Sequence, residues 1–223
     1  GNELCGAIAV EWLFKQEIKP KKGKLTLGFS NWRAYQNFSA ADPLASRFVD
    51  EDINRVWDEE TLDGDCMTVE TERARELRPL IDEVDLLLDI HSMTTFCEPL
   101  LLSGPHQKGR DFARAVSIPK YVVSDEGHAA GKRMRDYGDF GDPASAKNAL
   151  LVECGQHWEK RSEQVARDVM LRYLSHCGVL DEDFVQENLR NTAKPEQKVI
   201  EVSGPYTITA DQPLSWKDEY IGF

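Results

Sequence analysis

Two short runs of almost unbroken apolar residues, VDLLLDI at 84–90 and ALLV at 149–152, constrain this chain more than any other feature. A run without polar alternation suits a strand covered on both faces, as in the centre of an α/β sheet. Weaker strand signals fall at 100–102 and 121–123, with a helical stretch near 110–116 between them. Strands alternating with helices predict an α/β fold, a mixed twisted central sheet flanked by helices.

Each run also leads into reactive side chains. Asp89 and His91 are two apart, so on a strand they share a face, at the carboxyl end where ligands of open α/β sheets bind. A carboxylate beside an imidazole can fix its tautomer, as it does behind a metal-bound histidine. A histidine simply hydrogen-bonded at a strand end is the plainer alternative. Glu153 follows ALLV and opens Cys154-Gly155-Gln156-His157. Ionised glutamates are almost never buried alone, so Glu153 is either structurally paired or placed for acid–base work.

Around these runs, helical spacing of Ile8, Val10, Leu13 and Phe14 predicts a helix over 4–18, stopped by Lys-Pro at 19–20. The alternation KLTLGF predicts a strand over 24–29. Residues 30–64 read as an irregular, charged loop of a length that is usually functional or disordered. A Thr68 cap in a capping-box pattern predicts a helix over 68–83. A second long helix is expected over 159–175, with Val165, Val169, Leu171 and Leu174 facing the core. One main domain is expected over 1–190, truncated at its N-terminus. A polar linker follows at 191–197, and 198–223 reads as short strands beginning a small C-terminal β domain. The chain opens on Gly1 rather than Met and stops at Phe223 in a strand-like stretch, so further sequence is expected at both ends.

Composition limits the function classes. With 27 Lys plus Arg against 39 Asp plus Glu, the net charge is −12, which disfavours general attraction to nucleic acid or anionic membrane. An anion must find a local basic site. No apolar run approaches the roughly 20 residues of a membrane span, and no signal-peptide layout opens the chain. A soluble, cytoplasmic protein is expected, and a homo-oligomer is compatible with that reading. The five cysteines are scattered and lack CxxC spacing, which argues against a disulfide framework or a zinc knuckle.

Three further segments carry candidates. RFVDEDINR at 47–55 combines Arg47 and Arg55 with acids; it is either a self-paired solvated loop or an anion site. As a calcium loop it fails, because Arg55 stands where the EF-hand needs Gly and Thr61 where it needs Glu. Glu3 precedes the first helix, where an acid is favourable in any case. Arg133, Arg135 and Tyr137 lie in a Gly-rich loop that reads as an anion-gripping segment or an ordinary surface loop.

Taken in order, GNE at 1–3, RFVDEDINR at 47–55, DIH at 89–91 and VECG at 152–155 resemble the aspartoacylase/succinylglutamate desuccinylase family of the zinc carboxypeptidase superfamily. The resemblance implies one Zn2+ per chain. Its ligands would be Glu3, His91 and a histidine immediately preceding Gly1, leaving the fourth position for water. Asp89 would brace His91 from behind. The family's catalytic glutamate corresponds to Glu153 and its carbonyl-polarising arginine to Arg47, while Asn54 and Arg55 match the pair that grips a substrate carboxylate. Arg135 and Tyr137 join these as candidate substrate contacts. The implied reaction is hydrolysis of the amide of a small N-acyl amino acid. A carboxypeptidase acting on peptide C-termini and a metal-free small-molecule binding protein on the same fold are the alternatives. The sequence departs from the aspartoacylase pattern after Glu153, reading Cys-Gly-Gln-His-Trp in place of Gly-Pro-Gln, and this leaves the acyl group open.

Overall fold

The computed structural model describes residues 1–203, so the strands expected beyond 203 lie outside the described residues. Five strands form one mixed sheet: β1 (Leu86–Met93), β2 (Leu100–Leu102), β3 (Tyr121–Ser124), β4 (Asn148–Gln156) and β5 (Lys198–Glu201). Their order is β1-β4-β2-β3-β5. Only the β2–β4 pair is antiparallel. The expectation of two-sided cover holds for β4, buried at seven of its nine positions. It does not hold for β1, which has one neighbour among the described residues and leaves Leu86 at 40% exposure. β5 pairs with β3 at the other edge. Residues 198–201, the start of the segment expected to open a separate β domain, thus lie in this same sheet.

The two faces of the sheet carry different partners because side chains alternate along a strand. Leu88 and Ile90 of β1 and Leu150 and Val152 of β4 pack with α1 (Leu4–Phe14), α5 (Gln107–Val116) and α6 (Lys160–His176), against Leu13, Ala113, Val169 and Leu171. Leu87 points the other way and packs with Val56, Trp57, Ala74, Met134 and Tyr137, under α4 (Val69–Asp82). Asp89 and His91 follow Leu87 in phase, so they emerge on this second face.

Several local expectations are corrected. α1 stops at Phe14, because Glu17 turns into left-handed backbone at φ 50° before the Lys-Pro signal is reached. Residues 24–29 form no strand: Leu25 and Leu27 alternate onto the core, but no other strand pairs with them among the described residues. The stretch 30–64 is not wholly irregular, since it holds α2 (Trp32–Gln36), α3 (Glu59–Asp63) and two 3-10 turns. α4 opens with the expected Thr68 capping box, completed by the Thr71 hydroxyl. A further short helix, α7 (Glu182–Asn188), begins where Asp181 accepts from Asp183 N. No described helix is long and apolar enough to cross a membrane.

One lysine organises the approach to β4. The Lys108 ammonium donates to the backbone carbonyls of Asp139, Asp142, Ser145 and Lys147, and its own carbonyl accepts from Asn148 Nδ2. Lys108→Met keeps the side-chain length but leaves those carbonyls to water. With each such bond worth about 1.5–3 kcal/mol to a charged donor and largely replaceable by solvent, Tm should fall by about 5 °C. A melting curve superimposable on wild type would mean that the ammonium adds nothing to the turn.

Candidate active site

His91 is the centre of the site. Its Nε2 lies 3.0 Å from Asp89 Oδ2 and its Nδ1 lies 3.2 Å from Glu3 Oε2. Asp89 reaches it because the two share a strand face; Glu3 reaches it because α1 starts at the carboxyl end of β1. Glu3 Oε2 also accepts from Ser92 N at 2.6 Å. Burial opposes charging His91, but Asp89 and Glu3 outweigh it and hold its pKa well above the ordinary value. Burial likewise works against the Glu3 carboxylate, and His91 with the Ser92 N–H overcomes it, lowering the Glu3 pKa.

Glu153 stands opposite His91 in the β1–β4 register. Its Oε2 is buried without a partner. Burial is the main reason its pKa rises to about 8; nearby Glu3 and Asp89 add to the rise and His91 opposes it. A carboxyl held near neutrality without a structural partner is suited to proton transfer.

The segment 47–55 delivers positive charge to this cluster. Arg47 pairs with Asp52 at 2.8 Å and is half exposed. Arg55 donates to Asn54 O at 2.7 Å and lies within electrostatic reach of Asp52, Arg47 and Glu153. Asn54 is anchored through Oδ1, which accepts from Met134 N at 3.0 Å. The loop owes its shape to Glu70, which no sequence signal singled out. Fully buried, Glu70 accepts from Val49 N, Asp50 N, Glu51 N and Asn31 Nδ2 at 2.7, 3.0, 3.3 and 2.9 Å. It reads in sequence as an ordinary acid of a first helical turn.

Two expected substrate contacts are not brought to the cluster. Arg135 is 2% exposed and is committed to Asp136 and to the Ser103 carbonyl. Tyr137 donates to Asp82 Oδ1 at 2.8 Å and accepts from Arg78 Nε at 3.0 Å. Asp82 ends α4 ahead of β1, at the opposite end of the strand from His91.

Glu3 and His91 fit a metal pair. Two donors about 2.0–2.1 Å from a tetrahedral zinc stand about 3.3 Å apart, close to the 3.2 Å between Glu3 Oε2 and His91 Nδ1. Asp89 occupies the other imidazole nitrogen as an orienting carboxylate does. Among the described residues no group of three or more His, Cys, Asp or Glu is gathered to hold a metal ion.

A mixed sheet carrying a half-buried acid–imidazole cluster at the carboxyl ends of two parallel strands places the protein in the α/β class. The chain belongs to the family described as succinylglutamate desuccinylase/aspartoacylase catalytic domain, whose model matches residues 1–177. No curated protein matches it. Among solved structures, the product-bound ectoine utilization protein EutE (DoeB) from Ruegeria pomeroyi is similar at 19% identity and TM-score 0.60, over 92% of this chain and 60% of that one. A succinylglutamate desuccinylase/aspartoacylase from Rhodobacter sphaeroides is similar at 16% identity and TM-score 0.63, over 91% and 60%. The succinylglutamate desuccinylase from Chromobacterium violaceum is similar at 18% and 0.62, over 95% and 69%. These likenesses show the fold. The chain spans about 60% of the length of the Ruegeria and Rhodobacter proteins.

Proposed function

We propose that this chain is the catalytic part of a zinc-dependent deacylase that hydrolyses the amide bond of small N-acyl amino acids. The observation that carries the reading is Glu153, a buried and unpartnered carboxyl with a pKa near 8, set opposite the Glu3–His91 pair. Family membership supports the deacylase class. Glu3 and His91 would hold the ion together with the histidine expected before Gly1, with Asp89 orienting His91. The chemistry such an ion supplies is polarisation of the scissile carbonyl and acidification of water to a pKa of about 7.

The chain's own residues do the rest. Glu153 takes the proton from the attacking water and delivers it to the nitrogen of the departing amine. Arg47 assists the carbonyl oxygen as charge develops on it. Arg55, with Asn54, receives the substrate carboxylate, which explains how a chain of charge −12 binds an anion. We place the enzyme in the cytoplasm, a setting compatible with its five free cysteines.

The test is metal removal combined with a substrate screen. Chelator treatment should abolish hydrolysis of N-acetyl and N-succinyl amino acids, and about one zinc per chain should restore it. Full activity in a protein free of metal would sink the zinc assignment. Release of C-terminal residues from unacylated peptides, with no action on N-acyl amino acids, would replace it with the carboxypeptidase reading.

A further inference from the structure

β1 and β4 run in step from Leu86 opposite Asn148 to His91 opposite Glu153, and then slip so that Met93 faces Gln156. At the slip β4 carries Cys154 and Gly155 against the single residue Ser92, a bulge of the kind that re-aims side chains beside active sites. Gly155 takes φ +105°, where a side chain would be strained, and a Cβ there would stand 3.2 Å from Ser162 Oγ. Ser92 at this irregularity supplies the N–H that Glu3 Oε2 accepts.

His157 spans the same bulge. It is 5% exposed, with Nδ1 2.9 Å from Ser92 Oγ and Nε2 3.2 Å from Thr94 Oγ1. Its backbone N–H donates to Met93 O at 2.9 Å. Ser92 and Thr94 are two apart, so one ring holds both hydroxyls and the peptide between them. Burial lowers the His157 pKa, leaving a neutral ring with one N–H to donate and one lone pair to accept. Next in sequence, Trp158 Nε1 donates to Asn2 O at 3.3 Å, tying the same segment to the residue before Glu3.

We infer that His157 is a positioning residue for Glu3: by holding Ser92 and Thr94 across the bulge, it keeps the Ser92 N–H aimed at the Glu3 carboxylate. His157 reaches Glu3 through Ser92. The Cys-Gly-Gln-His-Trp segment, where this chain departs from the aspartoacylase pattern, thus acquires a role. The consequence for metal affinity rests on the zinc reading above; the consequence for Ser92 does not.

Both consequences are measurable on protein that includes the histidine expected before Gly1. In the metal-free protein, amide hydrogen exchange at Ser92 should accelerate by about tenfold or more in His157→Leu, while exchange at Leu150 in β4 stays protected. Zinc affinity, read by chelator competition, should fall by about 10–100-fold, the usual effect of losing an outer partner of a metal ligand. His157→Gln, which keeps one donor and one acceptor, should recover most of both losses. Ser92→Ala should match His157→Leu in zinc affinity, and the double variant should lose no more than either single one. Unchanged Ser92 exchange in His157→Leu, or additive losses in the double variant, would overturn the inference. If His157→Leu does not fold, Ser92→Ala decides: wild-type zinc affinity there overturns it. Wild-type protein that carries the histidine expected before Gly1 and still takes up no zinc would remove the zinc reading, while faster Ser92 exchange in His157→Leu would still uphold the positioning role.

Discussion

Glu153→Gln is expected to lower kcat for amide hydrolysis by about 10²–10⁴-fold, the range for removing a positioned general acid–base group, and at the same time to stabilise the metal-free chain. The two effects have one cause. Burial raises the Glu153 pKa to about 8, whereas the unfolded chain ionises it near 4.3. Between these values the folded state binds a proton that the unfolded state has released, so stability falls as pH rises through that window. A glutamine of the same shape has no proton to lose. The Tm gap between Glu153→Gln and wild type should therefore be near zero at pH 4 and widen toward pH 8. A purely structural glutamate would behave oppositely: its replacement would cost stability. Parallel kcat measurements and melting curves across that range separate the two, and a Glu153→Gln chain that is active or less stable at pH 8 would remove Glu153 from the acid–base role.

The parts of the molecule legible in the sequence were those with a local cause. The apolar runs gave β1 and β4 because burial selects residue type directly, and Asp89, His91 and Glu153 were visible as polar residues interrupting or ending those runs. That β1 has a single neighbour among the described residues was not legible, since strand order depends on partners distant in sequence. KLTLGF failed for the same reason: alternation describes a chain with one face inward, and pairing needs a free neighbouring strand. Arg135 and Tyr137 looked like anion contacts because a Gly-rich loop with arginines permits that. Asp136 between them claims Arg135, and the Ser103 carbonyl and Asp82, which come from other segments, claim the rest. Ser92 and His157 were hidden in the same way, because their meaning depends on a bulge that exists only when β1 and β4 are paired.

Glu70 is the other large expectation, and it links stability to the site. Its two oxygens accept from four donors, three of them backbone N–H groups of residues 49–51. Burial pushes the Glu70 pKa up, but Val49 N, Asn31 Nδ2, Asp50 N and Glu51 N together overcome it and lower the value. A hydrogen bond to a charged acceptor contributes about 1.5–3 kcal/mol. With water able to reach part of the loop once the carboxylate is gone, Glu70→Ala should cost about 3–5 kcal/mol, near the loss from breaking a buried charged network. Glu70→Gln should rescue little, because its amide NH2 must face one pair of donors. The sign with pH follows from the lowered pKa: the contribution is complete above the unfolded value and disappears as pH falls through the folded one. The wild-type advantage over Glu70→Ala in urea unfolding should therefore be full at pH 7 and shrink on acidification below about 4.3. Since Arg47, Asn54 and Arg55 ride on the loop that Glu70 shapes, the variant's KM for an N-acyl amino acid should rise even below its melting temperature. An unchanged KM in the folded variant would mean that those side chains hold their places without the buried carboxylate.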